Sequence, residues 1–123
     1  MLPASHYRAY QYFLTLLTEF TRVIVVEKQE LNLASLKIEF EQLSQWFQAH
    51  VVSLSDRQIE LAHASRWQSV QTEILREFKL LSTDMLFLAS ARQDFTQQKR
   101  IKSIKNRLSK LTDYCQIMIK NNN

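Results

Sequence analysis

At 123 residues, 46% apolar and 23% charged, the chain has the size and composition of one folded domain and not of a disordered tail. It contains no glycine, which excludes glycine-rich nucleotide loops and the glycine-flanked nucleophile elbow and favours long helices joined by short polar turns. The net charge of +4 is uneven, −1 over residues 1–93 and +5 over 94–123, an asymmetry that suggests a local acidic partner.

The first helix is expected over residues 5–28. Pro3 suits a start, Ser5 can cap, and Tyr10, Phe13, Leu17, Phe20 and Ile24 share one face. The run from Val23 to Val26 is β-branched, but a strand there has no obvious partner, so helix is preferred. After the polar joint EKQELN a second helix is expected over 32–52, with Leu33, Leu36, Phe40, Leu43 and Phe47 as its stripe and Trp46 at the margin. Residues 53–64 are an uncertain connection or a short helix. Ser55-x-x-Gln58 and Ser65-x-x-Gln68 both have capping-box spacing.

The third helix, expected over 65–92, carries Trp67, Val70, Ile74, Phe78, Leu81, Met85 and Leu88 at spacings of 3 and 4. Leu80 and Phe87 fall off that stripe, as if part of the helix were wrapped by neighbours or presented to another chain. Asp94-x-x-Gln97 is read as the cap of a fourth helix over 95–120, whose seam is Ile101, Ile104, Leu108, Leu111, Cys115 and Met118. The expected fold is all-α: an elongated up-and-down four-helix bundle forming a single domain over 1–123.

The fourth helix is also the most charged. Lys99, Arg100, Lys102, Lys105, Arg107 and Lys110 occupy the stretch from Phe95 to Thr112, which holds no carboxylate. Arg100 and Arg107 flank the apolar seam on one side, and Lys102 and Lys105 on the other. Three sources of compensating acid are open. Glu73, Glu77 and Asp84 on an antiparallel third helix could reach across, leaving the other bases solvated. An acidic protein could dock. Nucleic acid is the third and lesser option, because the basic face lacks exposed aromatics for stacking and, apart from Asn106, amides for base edges.

No constellation for catalysis is found. Glu60-x-x-His63 has the spacing used in helical di-iron bundles, but it occurs once where two copies and two further glutamates are needed. His6 and His50 are isolated, and Cys115 lies on an apolar seam as a small hydrophobe. No cofactor or metal is expected. A lone cysteine excludes an intramolecular disulfide and fits a reducing compartment. No apolar run approaches the roughly 20 residues of a membrane span, and no signal pattern opens the chain. A cytoplasmic protein without membrane insertion is expected.

Several segments together resemble the small cyanobacterial PatD family of heterocyst frequency control proteins. They are the opening MLP, YQYFLTLL (Tyr10 to Leu17), FEQLSQWFQ (Phe40 to Gln48), QTE (Gln71 to Glu73), LLSTDMLFLASARQ (Leu80 to Gln93) and RIKSIKNRLSKLTDYC (Arg100 to Cys115). Residues 53–64 carry none of it. The resemblance implies a non-enzymatic regulator of cell division. Its partner would be the tubulin-like protein FtsZ, its effect filament assembly, its place the division site, and its consequence in filamentous species a limit on heterocyst frequency. No family motif supplies binding residues, so the physical reading does. Lys99, Arg100, Lys102, Lys105, Arg107 and Lys110 are the partner-binding candidates. Trp46, Leu80 and Phe87 are candidates for a second interface, such as a homodimer contact. A basic helical regulator that binds nucleic acid is the alternative.

Overall fold

The structure is a computed structural model that describes residues 2–26 and 32–120. Four helices account for most of them: α1 (Ala4–Val26), α2 (Leu33–Phe47), α3 (Leu61–Ser90) and α4 (Asp94–Lys120). No strand occurs among the described residues. Neighbouring helices are antiparallel. Phe20 packs on Phe40 and Phe13 on Phe47 between α1 and α2, while Glu77 meets Arg107 and Asp84 meets Arg100 between α3 and α4. The two closest-packed seams are α3–α4 and α1–α4, whereas the backbones of α2 and α3 stay farther apart and meet through aromatic side chains. At thirty residues α3 is the longest helix, roughly 45 Å at about 1.5 Å per residue. The all-α up-and-down four-helix bundle expected from periodicity is what the chain forms.

Most residues of the stripes read from spacing form the core, while Leu33, Phe40, Val70 and Ile101 are half-buried against it. Tyr10, Phe13, Leu17, Phe20 and Ile24 of α1, Leu36, Leu43 and Phe47 of α2, and Ile104, Leu108, Leu111, Cys115 and Met118 of α4 are all buried in one cluster. On α3 the same cluster takes Trp67, Ile74, Phe78, Leu81, Met85 and Leu88. Phe78 lies flat against Phe47 at 4.0 Å between ring centres and against Phe40 at 5.7 Å. Offset aromatic contacts of this kind bury large areas and add about 0.5–1.5 kcal/mol each.

The helix ends depart from expectation. At the start of α1, Tyr7 N–H donates to Pro3, so Pro3 opens the helix and Ser5 lies within it, against His6. The expected extension to Lys28 lies outside the described residues. The second helix starts at Leu33, with Asn32, expected within it, as its cap, the side chain accepting from Ser35 N–H at 3.1 Å. The α-helix there ends at Phe47 and continues as a π-helical segment, Gln48–Val52. Neither capping box upstream of α3 forms. Residues 53–60 make a turn held by the bond from Ile59 N–H to Asp56, and Ile59 is buried. The helix starts at Leu61, four residues before Ser65, with Glu60 accepting from the His63 and Ala64 amides. Ser65 is therefore interior to α3, and Gln68 donates its side chain to Asp56 and not to a cap. Likewise Asp94 lies in the first turn of α4, where Gln97 N–H reaches Gln93 and the Gln97 side chain reaches Ala91.

Candidate functional site

The six bases of α4 divide into two sets. Arg100, Arg107 and Lys110 turn toward α3, where two carboxylates stand in the interface. The Glu77 side chain is 0% exposed and that of Asp84 only 9%. Both occupy the apolar stripe itself, three residues after Ile74 and Leu81 respectively, so the spacing that buries those residues buries the acids too. Arg107 is the hub. Its Nη1 donates to Glu77 Oε2 at 3.2 Å, and its Nε lies 3.6 Å from Asp84 Oδ2. That Nε is buried and has no hydrogen-bond partner among the described residues.

Around the hub, Arg76 bridges Glu73 at 3.2 Å and Glu77 at 3.4 Å, and Lys110 approaches Glu77 at 3.9 Å. Lys110 thus faces α3. Asp84 accepts from Ser103 Oγ at 2.7 Å and pairs with Arg100 at 3.5 Å. The Arg100 guanidinium also lies over the Phe87 ring at 4.4 Å. Two desolvated anions are therefore surrounded by cations and hydrogen-bond donors, the condition under which a buried charge is tolerated.

Lys99, Lys102 and Lys105 form the other set. They are exposed and make no ion pair with any described residue. Lys99 lies 5.6 Å from the centre of the exposed Phe95 ring, so the basic face does carry an exposed aromatic, contrary to the expectation that it has none.

Of the second-interface candidates, Leu80 and Phe87 lie two turns apart on one side of α3, and Trp46 lies on a different seam. Trp46 is half-buried in the α1–α2 seam, against Tyr12 at 4.7 Å and with His50 on it at 4.7 Å. Leu80 is half-buried on α3, and Phe87, 48% exposed, sits at the α3–α4 seam beneath Arg100.

A second polar cluster lies inside the bundle. Trp67 Nε1 donates to the Tyr10 hydroxyl at 2.9 Å, which donates to Gln71 Oε1 at 2.8 Å. Gln71 Nε2 in turn donates to the Val51 carbonyl at 2.9 Å. Burial raises the Tyr10 hydroxyl well above its ordinary value, and the Trp67 hydrogen bond offsets part of the rise. His6, read from sequence as isolated, is buried and donates Nε2 to the Ser55 carbonyl at 2.7 Å. It thereby ties the 53–60 turn to α1.

Cys115 is buried among apolar neighbours, and desolvation pushes its thiol up to about 12. It stays protonated at neutral pH and is a poor nucleophile there. Glu60 and His63 are exposed and 3.8 Å apart. Among the described residues no three His, Cys, Asp or Glu side chains converge as metal ligands, and no helix is long and apolar enough to cross a membrane. No protein-family model, curated protein or solved structure matches the chain.

Proposed function

We propose that this chain is a non-enzymatic helical adaptor that docks an acidic protein on the outer face of α4, through Lys99, Lys102 and Lys105. One observation carries the reading. These three lysines are exposed and make no ion pair with a described residue, on a stretch without a single carboxylate, while α3 occupies the other three bases. Such a face attracts an acidic surface over a Debye length, speeding encounter more than it adds final affinity. The resemblance to the PatD family supplies the partner's identity, the acidic filament protein FtsZ. From that resemblance alone come promotion of filament assembly at the division site and an effect on heterocyst frequency.

Co-sedimentation with polymerised FtsZ tests the reading, run at about 50 and 300 mM salt, where the screening length falls from roughly 14 to 6 Å. Pelleting at low salt is expected, weakened at high salt and lost in the triple variant Lys99→Glu, Lys102→Glu, Lys105→Glu. Helical circular dichroism of that variant should match the parent, because none of the three lysines holds the bundle together. Duplex DNA is run alongside. Retention on DNA without pelleting on filaments would replace the adaptor with a nucleic-acid binder.

A further inference from the structure

Among the described residues, the backbones of α2 and α3 approach each other at only a few places. Helices α2 and α3 meet through the Phe40 and Phe47 contacts with Phe78. Beyond these contacts they part, leaving an apolar groove of about 320 Å³ between Leu33–Ser44 and Ser82–Ala89. Its floor is Leu36, Phe40, Met85 and Leu88. On its rim Leu86 stands 72% exposed, as a knob beside the hole. The other rim carries Lys37 and Glu41, both exposed. They are four apart on one helix with the lysine first, the less favourable order for an intrahelical pair. Neither makes an ion pair with any described residue.

Each feature of this surface has its complement on the same surface: a knob and a hole, a cation and an anion. Such self-complementarity is what a two-fold interface between identical chains requires, since residue i of one copy meets residue j of the other and the reverse. We propose that the α2–α3 groove is an isologous homodimer interface. Leu86 of each copy enters the groove of the other, and Lys37 of each copy meets the other's Glu41. The contact lies on a different seam from the lysine face of α4, so a dimer would present two such faces at once. The inference does not depend on the identity of the partner that α4 binds.

The test is a charge-swap cycle read by sedimentation equilibrium at low salt. The parent chain is expected to show a concentration-dependent monomer–dimer equilibrium. Lys37→Glu puts glutamate against glutamate twice across the two-fold axis, and Glu41→Lys puts lysine against lysine. Each variant alone should weaken dimerisation at least about tenfold. Mixed in equal amounts, the two should recover a heterodimer near parental affinity, because both pairs become opposite in sign. Leu86→Glu should abolish dimerisation. A monomer at every concentration overturns the proposal. So does a dimer indifferent to both reversals, or a mixture that fails to recover. A monomer whose filament pelleting is lost in Leu86→Glu overturns it in favour of a different protein in the groove. The rim residues are exposed, so helical circular dichroism should stay parental throughout.

Discussion

Arg107 shows how one side chain links two helices. Its guanidinium spans Glu77 and Asp84, a heptad apart on α3, and so fixes the register of α4 against that helix. A buried ion pair is often no more stabilising than apolar residues of the same size, but half of one is strongly destabilising. Glu77→Ala is therefore expected to cost about 3 kcal/mol or more in urea unfolding, since it leaves Arg107 partly desolvated opposite a void. Joint replacement, Glu77→Leu with Arg107→Leu, should recover most of that loss. A single-variant cost below about 1 kcal/mol would show that water solvates the pair.

Cys115 is the residue-scale source of a pH effect. Its folded thiol is pushed up to about 12 from an ordinary 9.0. Below 9 both folded and unfolded chains hold the proton, and the thiol adds no pH dependence. Above 9 the unfolded chain releases its proton first, so stability falls as pH rises toward 12. Tyr10 shifts the same way and deepens the fall. Urea midpoints for the parent should stay level up to about pH 8.5 and then decline. The decline should be shallower in Cys115→Ala; an identical slope would mean that the thiol does not contribute.

Among the elements, the π-helical segment Gln48–Val52 is the least regular and the most connected. Widening the last turn of α2 leaves the Val51 carbonyl to accept from Leu54 N–H at 3.1 Å and from Gln71 Nε2 at 2.9 Å. Gln71 also accepts from Tyr10, so the segment joins α1 and α3 through one amide. Gln71→Leu should cost about 1–3 kcal/mol, because it removes a partner from two buried polar groups at once. Gln71→Glu, which keeps the acceptor for Tyr10 but not the donor for Val51, should also destabilise the fold. Thermal unfolding of both reads this out, and no change in either would remove the segment's assigned role as a joint.

The helix bodies were legible from spacing, because a stripe at 3 and 4 has one packing solution. The starts were not. Ser55 and Ser65 have capping-box partners at the right distance, yet α3 begins at Leu61. Burial of Ile59 and the bonds from His6 to Ser55 and from Gln68 to Asp56 dock the 53–60 turn on the bundle, outweighing a local cap of about 1 kcal/mol.

At the scale of the whole molecule, the charge asymmetry resolves into an inside and an outside. Arg100, Arg107 and Lys110 answer the acids of α3, while Lys99, Lys102 and Lys105 face water. Reversing the outer three should thus change binding and not folding, whereas reversing Arg107 should change folding first. The α2–α3 opening belongs to this scale as well. Neither helix is unusual alone, and the groove exists because α4 packs closely on α1 and α3 while α2 and α3 part beyond Phe78.

By itself the sequence determined the class of fold. Four 3–4 stripes and the absence of glycine leave little but a helical bundle, and the stripes name most of the core. It also located the basic helix. Only the tertiary structure decided which bases are occupied, because pairing depends on the register between helices and not on spacing within one. Glu77 and Asp84 sit in an apolar stripe, a visible signal, but the Arg100 and Arg107 that make their burial tolerable come from a helix up to thirty residues away. Buried charge is settled by such distant partners, and the bundle brings them together.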